Sequence, residues 1–324
     1  MRKKGQFIFS KIDLLNGSFG IVPDELDGFY SSSDIPAYSF QETQNSSFLL
    51  NWLSMNYATL NIERTGTSET LKRVSKSAFL DLKILAPAKD EQDKIAACLA
   101  SLDELIAAQT EKVKAFRFLK KGLLQALFPS MGEPMPRLRY PEFENEGEWK
   151  AVQLGDLCSM QAGKFIPGSD IQDSFGKDLF PCYGGNGLRG YVMTNTHHGR
   201  FPLIGRQGAL CGNVTLANGH FYATEHAIVC THKELIDVNW LFFDLARLNL
   251  NRFATGQAQA GLSVDVLKNV PTRLPTSITE QQEIASTLSS LDTLVDSEER
   301  GIEALKQHKR ALMQQLFPSP EEAD

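Results

Sequence analysis

Four short stretches of this 324-residue sequence place polar side chains among glycines. GGNGLRG (184–190) carries Asn186 and Arg189, and IGRQG (204–208) carries Arg206 and Gln207. TGQAQAG (255–261) adds Gln257 and Gln259, and AGKF (162–165) adds Lys164. Guanidinium and carboxamide groups make paired hydrogen bonds to planar partners, and glycine lets the backbone beneath them approach closely. The chemistry such loops could do is recognition, with the edges of nucleic acid bases among the planar partners. An earlier loop, TGTSETLKR (65–73), offers Lys72 and Arg73 in similar company.

Catalytic chemistry is harder to find. GGNG lacks the following lysine and hydroxyl of a phosphate cradle and sits in no strand–helix–strand unit. His197, His198, His220, His226 and His232 match no standard metal-ligand spacing and read as surface or core residues. Pro23-Asp24 with Asp81-Leu82-Lys83 is an accidental shadow of a nuclease pattern. Methyltransferase motifs are absent. The chain reads as non-enzymatic, with no metal and no cofactor. A histidine-based hydrolase or nuclease remains the alternative that a metal assay would test.

Bulk composition sets wider limits. Five cysteines without a C-x-x-C pair fit a reduced cytoplasm better than a disulfide scaffold or zinc knuckle. No apolar run approaches 18 residues, so no membrane span is expected, and Lys11, Asp13 and Asn16 interrupt any signal-peptide core. The net charge of −6 does not advertise a nucleic acid binder. Residues 149–271, however, balance 10 Lys and Arg against 9 Asp and Glu and hold five of the six histidines.

The elements that must position these loops include one that occurs twice. Residues 91–130 and 280–319 align without a gap and agree at 17 of 40 positions. Each copy predicts a helix of about 38 residues, roughly 57 Å long, ending at Phe-Pro-Ser where proline stops it. Thr279 with Gln282 reads as a capping box, and Asp90 holds the cap position in the first copy. Ile95, Leu102, Phe116 and Leu123 fall seven or fourteen apart, as do Ile284, Leu291, Leu305 and Leu312. The one polar interruption is shared: Gln109 in one copy and Glu298 in the other. This is a coiled-coil seam with a polar register position, and spacing alone leaves its direction open.

The repeat extends upstream. FLDLKILAP (79–87) and VLKNVPTRL before Pro275 each read as a short strand ahead of the helix. GSFGIVPDELDGFY (17–30) matches ALCGNVTLANGHFY (209–222), with Asp27-Gly28 and Asn218-Gly219 reading as hairpin turns. The fold class is therefore α+β, a tandem duplication of a β-rich domain followed by a long helix. Nothing in the first copy matches residues 149–192, because Met1 aligns near Met193. Either the chain is shortened or its start lies upstream, and the first domain should then be poorly soluble or completed by another chain.

Taken together, these features resemble the specificity subunit of type I restriction–modification systems. The carriers are P-x-x-x-E-Q at Pro87 to Gln92 (one residue longer at Pro275 to Gln281) and LxxLD at Leu99–Asp103 and Leu288–Asp292. Others are the two LFPS ends, the connector PRLRYPEFENEGEWKAVQLGDL (136–157), and YGGNGLRGY, IGRQGALCGNV and GLS at 183–191, 204–214 and 261–263. The resemblance implies two target-recognition domains, each reading half of a gapped double-stranded DNA site. It implies two spacer helices paired antiparallel to fix the gap and dock methyltransferase subunits, with restriction subunits as a further candidate partner. The expected division is 1–88 for an incomplete first domain, 89–130 for the first helix, 131–148 for a linker, 149–275 for the second domain and 276–320 for the second helix. Lys164, Asn186, Arg189, Arg206, Gln207, Gln257 and Gln259, with Lys72 and Arg73 in the first domain, are then the expected DNA contacts. A shortened relative that binds the methyltransferase subunit without productive reading is the alternative.

Overall fold

The computed structural model describes residues 1–66, 72–208, 210–256 and 261–317. Gln257 and Gln259, with part of the 65–73 loop, lie outside the described residues. Two compact units result: residues 1–113 with 297 onward, and residues 114–296.

The first unit is built around aromatic residues. Strands β1 (Phe7–Phe9), β2 (Phe19–Ile21) and β3 (Ala37–Tyr38) form an antiparallel sheet in the order β2-β1-β3. Helix α1 (Ser46–Asn56) starts at Asn45, whose side chain accepts from the Phe48 amide as an N-cap should. A small ribbon, β4 (Arg64–Thr65) with β5 (Arg73–Val74), leads to the short helix α2 (Lys76–Leu80) and then to α3 (Lys89–Leu127). Phe7, Phe9, Phe48, Trp52 and Leu53 are buried with Ile95 and Leu99 of α3. The expected strand at 79–87 does not form: residues 79 and 80 end α2, and 82–88 pair with nothing regular. The corresponding strand of the second copy has a partner that residues 1–88 do not contain, and an unpaired strand gains no ladder.

The second unit carries the larger sheet. Strand β6 (Lys150–Gln153) precedes a single helical turn, α4 (Leu154–Leu157), which leads into β7 (Cys158–Ala162). Next come β8 (Phe180–Gly184), β9 (Gly187–Val192), β10 (His197–Gly205), β11 (Val214–Ala223) and β12 (Ala227–His232). The six-stranded order is β7-β12-β10-β11-β8-β9, antiparallel except between β8 and β11. Helix α5 (Val238–Arg247) covers the sheet, α6 (Val264–Lys268) follows, and β13 (Pro271–Leu274) pairs with β6. Helix α7 (Ile278–Leu316) closes the chain's described part. Trp149, Trp240, Phe128 and Leu288 share one buried core.

Neither expected hairpin turn is one. Asn218 and Gly219 lie inside β11, paired with Arg200 and Gly199. Gly219 has φ of +79° and faces Gly199 at +128°, backbone conformations that glycine adopts without strain inside the ribbon. The β10–β11 connection falls at 206–213 instead. Asp27-Gly28 is bound to the chain's first residues, with Gly28 N donating to Arg2 O and Lys4 N to the Asp27 carboxylate. The helix starts also differ from the capping expectation. Thr279 and Asp90 sit within the first turns, and the Glu280 amide donates to the Ser277 hydroxyl oxygen at 3.5 Å.

Both long helices contain 39 residues and run in opposite directions where they meet. In the first unit Asp103 pairs with Lys309 at 2.6 Å, and Lys112 with Glu298 at 2.6 Å, so the numbers fall on one helix as they rise on the other. In the second unit Lys120 pairs with Asp292. Gln109 packs beside Gly301. Ile95, Ile284 and Leu291 are buried, while Leu102, Phe116, Leu123, Leu305 and Leu312 are half-buried. The apolar stripe of each helix thus faces its partner and the two domain cores.

A candidate nucleic acid interface at one end of the second sheet

Three connections converge at one end of the six-stranded sheet: β8–β9, β10–β11 and β11–β12. A cavity of about 670 Å³ opens between them, lined by Asn186, Arg189, Gln207, Leu210 and His226 among others. Backbone contacts fix the arrangement. Arg206 N donates to His226 O at 2.8 Å, Leu262 N to Arg206 O at 2.8 Å, and Thr224 N to Tyr183 O at 2.9 Å. A Cβ on Gly205 would fall 2.0 Å from Gly185 O, so only glycine permits the first two loops to close on each other. The loops are held by a pre-formed main chain, and their side chains project from it.

The expected contacts distribute as follows. Asn186, Arg189 and Gln207 come together around the cavity and are exposed, and Arg206 is half-buried beside them. Lys164 is exposed at the end of β7, where its amide donates to Ala223 O at 2.9 Å. Its charge reaches His197: burial, and next Lys164, hold that imidazole below the ordinary histidine range. A Cβ on the preceding Gly163 would sit 2.2 Å from Ala223 O, so glycine lets this strand end join the others. In the first unit Arg73 pairs with Asp34 at 3.2 Å at a half-exposed position, and Lys72 is half-buried next to it.

Two residues of the cavity region were not expected there. Glu225 and His226 form the β11–β12 turn, in which Ala227 N donates to Thr224 O at 2.9 Å. Glu225 Oε1 lies 3.1 Å from His226 Nε2. Burial raises the Cys182 thiol, and beneath that effect Arg189 lowers it while Glu225 raises it, so both charges act on one point under the loops. The sequence signal was modest: a polar Thr-Glu-His between the apolar runs that become β11 and β12. Among the described residues no group of histidine, cysteine or carboxylate side chains could hold a metal ion.

Comparison with known proteins agrees with this architecture. The family model of the type I restriction modification DNA specificity domain matches residues 2–115 and 146–307. The chain belongs to that family. The two matched regions each take in one repeat, so this family assignment spans both domains. A specificity subunit of the Escherichia coli EcoprrI enzyme is 44% identical over 158 residues, which are 48% of this chain and 38% of that protein. The chain therefore spans well under half of this relative's length in the aligned region. The MjaVIII specificity subunit of Methanocaldococcus jannaschii is 22% identical over 317 residues, covering 90% of this chain and 73% of the relative. The crystal structure of a type I S subunit from M. genitalium shares the fold at a TM-score of 0.69 and 18% identity, over 98% of this chain and 84% of that one. Both family regions thus belong to one fold, and the convergent loops belong to the second.

Proposed function

We propose that this chain is the non-catalytic subunit that gives a type I restriction–modification complex its DNA sequence specificity. The second domain, 149–275, reads one half of a gapped duplex site with Lys164, Asn186, Arg189, Arg206 and Gln207, to which Gln257 and Gln259 add contacts. Arg and carboxamide groups can each make two hydrogen bonds to a purine edge in the major groove, while Lys164 suits a phosphate. The antiparallel helices, 89–130 and 276–320, separate the two readers and dock methyltransferase subunits, with restriction subunits as a further partner. Ile95, Leu102, Phe116, Leu123, Ile284, Leu291, Leu305 and Leu312 form the apolar seam, and Gln109 and Glu298 set its register. The cytoplasm is the proposed site of action. The observation carrying this reading is the cavity where three loops bring Asn186, Arg189 and Gln207 together at one end of the sheet.

The first domain, 1–88, with the linker 131–148 after its helix, favours a second reading. Its sheet stops at three strands among the described residues, and Arg73 is already paired with Asp34. On that reading the first domain contributes its helix but no productive DNA contact. A map of adenine methylation in cells co-expressing this chain and a type I methyltransferase subunit tests both. An asymmetric gapped motif is expected if Lys72, Arg73 and their neighbours read DNA. A symmetric motif means that two second domains assemble. Co-purification without new methylation overturns the specificity role and leaves a chain that only binds its partner.

A further inference from the structure

The Glu225–His226 turn has no place among the DNA contacts expected from sequence, yet it stands in their midst. Its backbone is tied to both neighbouring loops, because Thr224 N donates to Tyr183 O and His226 O accepts from Arg206 N. Thr224 itself is fully buried, so the turn is anchored from beneath. Two-fifths of the His226 side chain remains accessible, and it lines the cavity with Asn186, Arg189 and Gln207.

Glu225 is the unusual member. One carboxylate oxygen, Oε2, is buried without a hydrogen-bond partner among the described residues, and the other lies 3.1 Å from His226 Nε2. A carboxylate in a groove that takes a polyanion weakens the attraction to phosphate, so its presence calls for another use. At 3.1 Å from Nε2, the carboxylate is placed to orient the imidazole. In the tautomer that turns Nε2–H toward that carboxylate, Nδ1 is left as an acceptor. In the major groove an acceptor is satisfied by the amino group of adenine or cytosine and repelled by the carbonyl oxygens of guanine and thymine.

We propose that His226 is a specificity-determining residue of the second domain, selecting a base with an exocyclic amino group, and that Glu225 is its positioning residue. This rests on the DNA-reading role proposed above.

The test selects bound sequences from a randomised duplex library, using the full chain assembled with its methyltransferase subunit. The wild type should enrich one motif, and Arg189→Ala should relax one of its positions. His226→Ala should relax a different position by about tenfold, while sequences differing elsewhere keep their ranking. Glu225→Ala should relax the same position as His226→Ala. Glu225→Gln, which retains a carbonyl acceptor for Nε2–H, should restore it. A purely structural role would instead lower binding to every sequence alike, and that result overturns the proposal. So does an unchanged base preference in His226→Ala, or a Glu225→Gln loss equal to that of Glu225→Ala. If Arg189→Ala shifts the motif and His226→Ala does not, this inference alone fails. If the wild type enriches no sequence, the DNA-reading role fails with it.

Discussion

The two repeats are alike where they hold a helix and unlike where they could hold a ligand. Strands β2, β1 and β3 of the first correspond to β11, β10 and β12 of the second, with the same strand in the middle. Helix α1 corresponds to α5, α2 to α6, and α3 to α7. One detail ties each domain to its long helix in the same way. The Gln92 carboxamide donates to Pro87 O at 2.8 Å and accepts from Asn45 N at 3.0 Å. Gln281 donates to Leu235 O and Pro275 O and accepts from Asp237 N at 2.8 Å. Asn45 and Asp237 are the N-caps of α1 and α5, so one glutamine links the start of a long helix to the start of the domain's own helix.

The differences lie at the sheet edges. In the second repeat β7 pairs with β12, and β8 with β11. Their counterparts β3 and β2 are the outer strands of the first sheet. Most of the exposed polar loops come with the extra strands: β7 leads to Lys164, and β8–β9 carries Asn186 and Arg189. What is shared ties each domain to its long helix, and what is added carries the loops proposed to read DNA.

A neighbouring pair of residues offers the sharpest way to break this comparison. Glu280 is buried and makes a bidentate pair with Arg139, at 2.8 and 2.9 Å, and it accepts from Trp149 Nε1 at 3.2 Å. Its counterpart Glu91 is exposed. Arg139→Ala, which leaves the Glu280 carboxylate buried without its cation, should therefore cost about 3–5 kcal/mol. Glu91→Ala should stay within about 0.5 kcal/mol. Urea unfolding followed by tryptophan fluorescence measures both, and equal costs would dissolve the distinction.

Gln92→Ala and Gln281→Ala should be the matched pair. Each removes a carboxamide bonded to main chain on both sides, and each should cost about 1–3 kcal/mol by the same unfolding measurement. A large inequality would mean that the shared anchor is not equally important in the two repeats. Arg189→Ala against Arg73→Ala sharpens the contrast in recognition. The first should lose about 1–3 kcal/mol of discrimination between cognate and altered duplexes in a competition binding assay. The second should change discrimination little, and stability by under about 1 kcal/mol, since its half-exposed pair with Asp34 is weak. Smallest of all, Lys112→Ala should cost at most about 1 kcal/mol and less at high salt, because its pair with Glu298 is partly exposed.

Some of this was written in local sequence. The two long helices follow from apolar residues seven apart and from Phe-Pro-Ser stops, which act over a few turns and need no distant partner. The alignment of the copies exposed the duplication, and the glycine-flanked Asn186, Arg189 and Gln207 marked loops that meet in space. Strand pairing was another matter, because a ladder depends on partners far along the chain. Asn218-Gly219 has the composition of a turn but lies inside β11, since Gly199 faces it there. Residues 82–88 resemble β13 yet form no strand, since residues 1–88 hold no counterpart of β6 for them to pair with. Ser277, one residue ahead of the helix, carries the cap contact that local pattern gave to Thr279. Glu225 and His226 joined the candidate site only when β11 and β12 closed their turn against two other loops. Periodicity is a property of a segment and can be read from it. Which loops converge at a sheet end is a property of the packed sheet, and only the tertiary structure decided that.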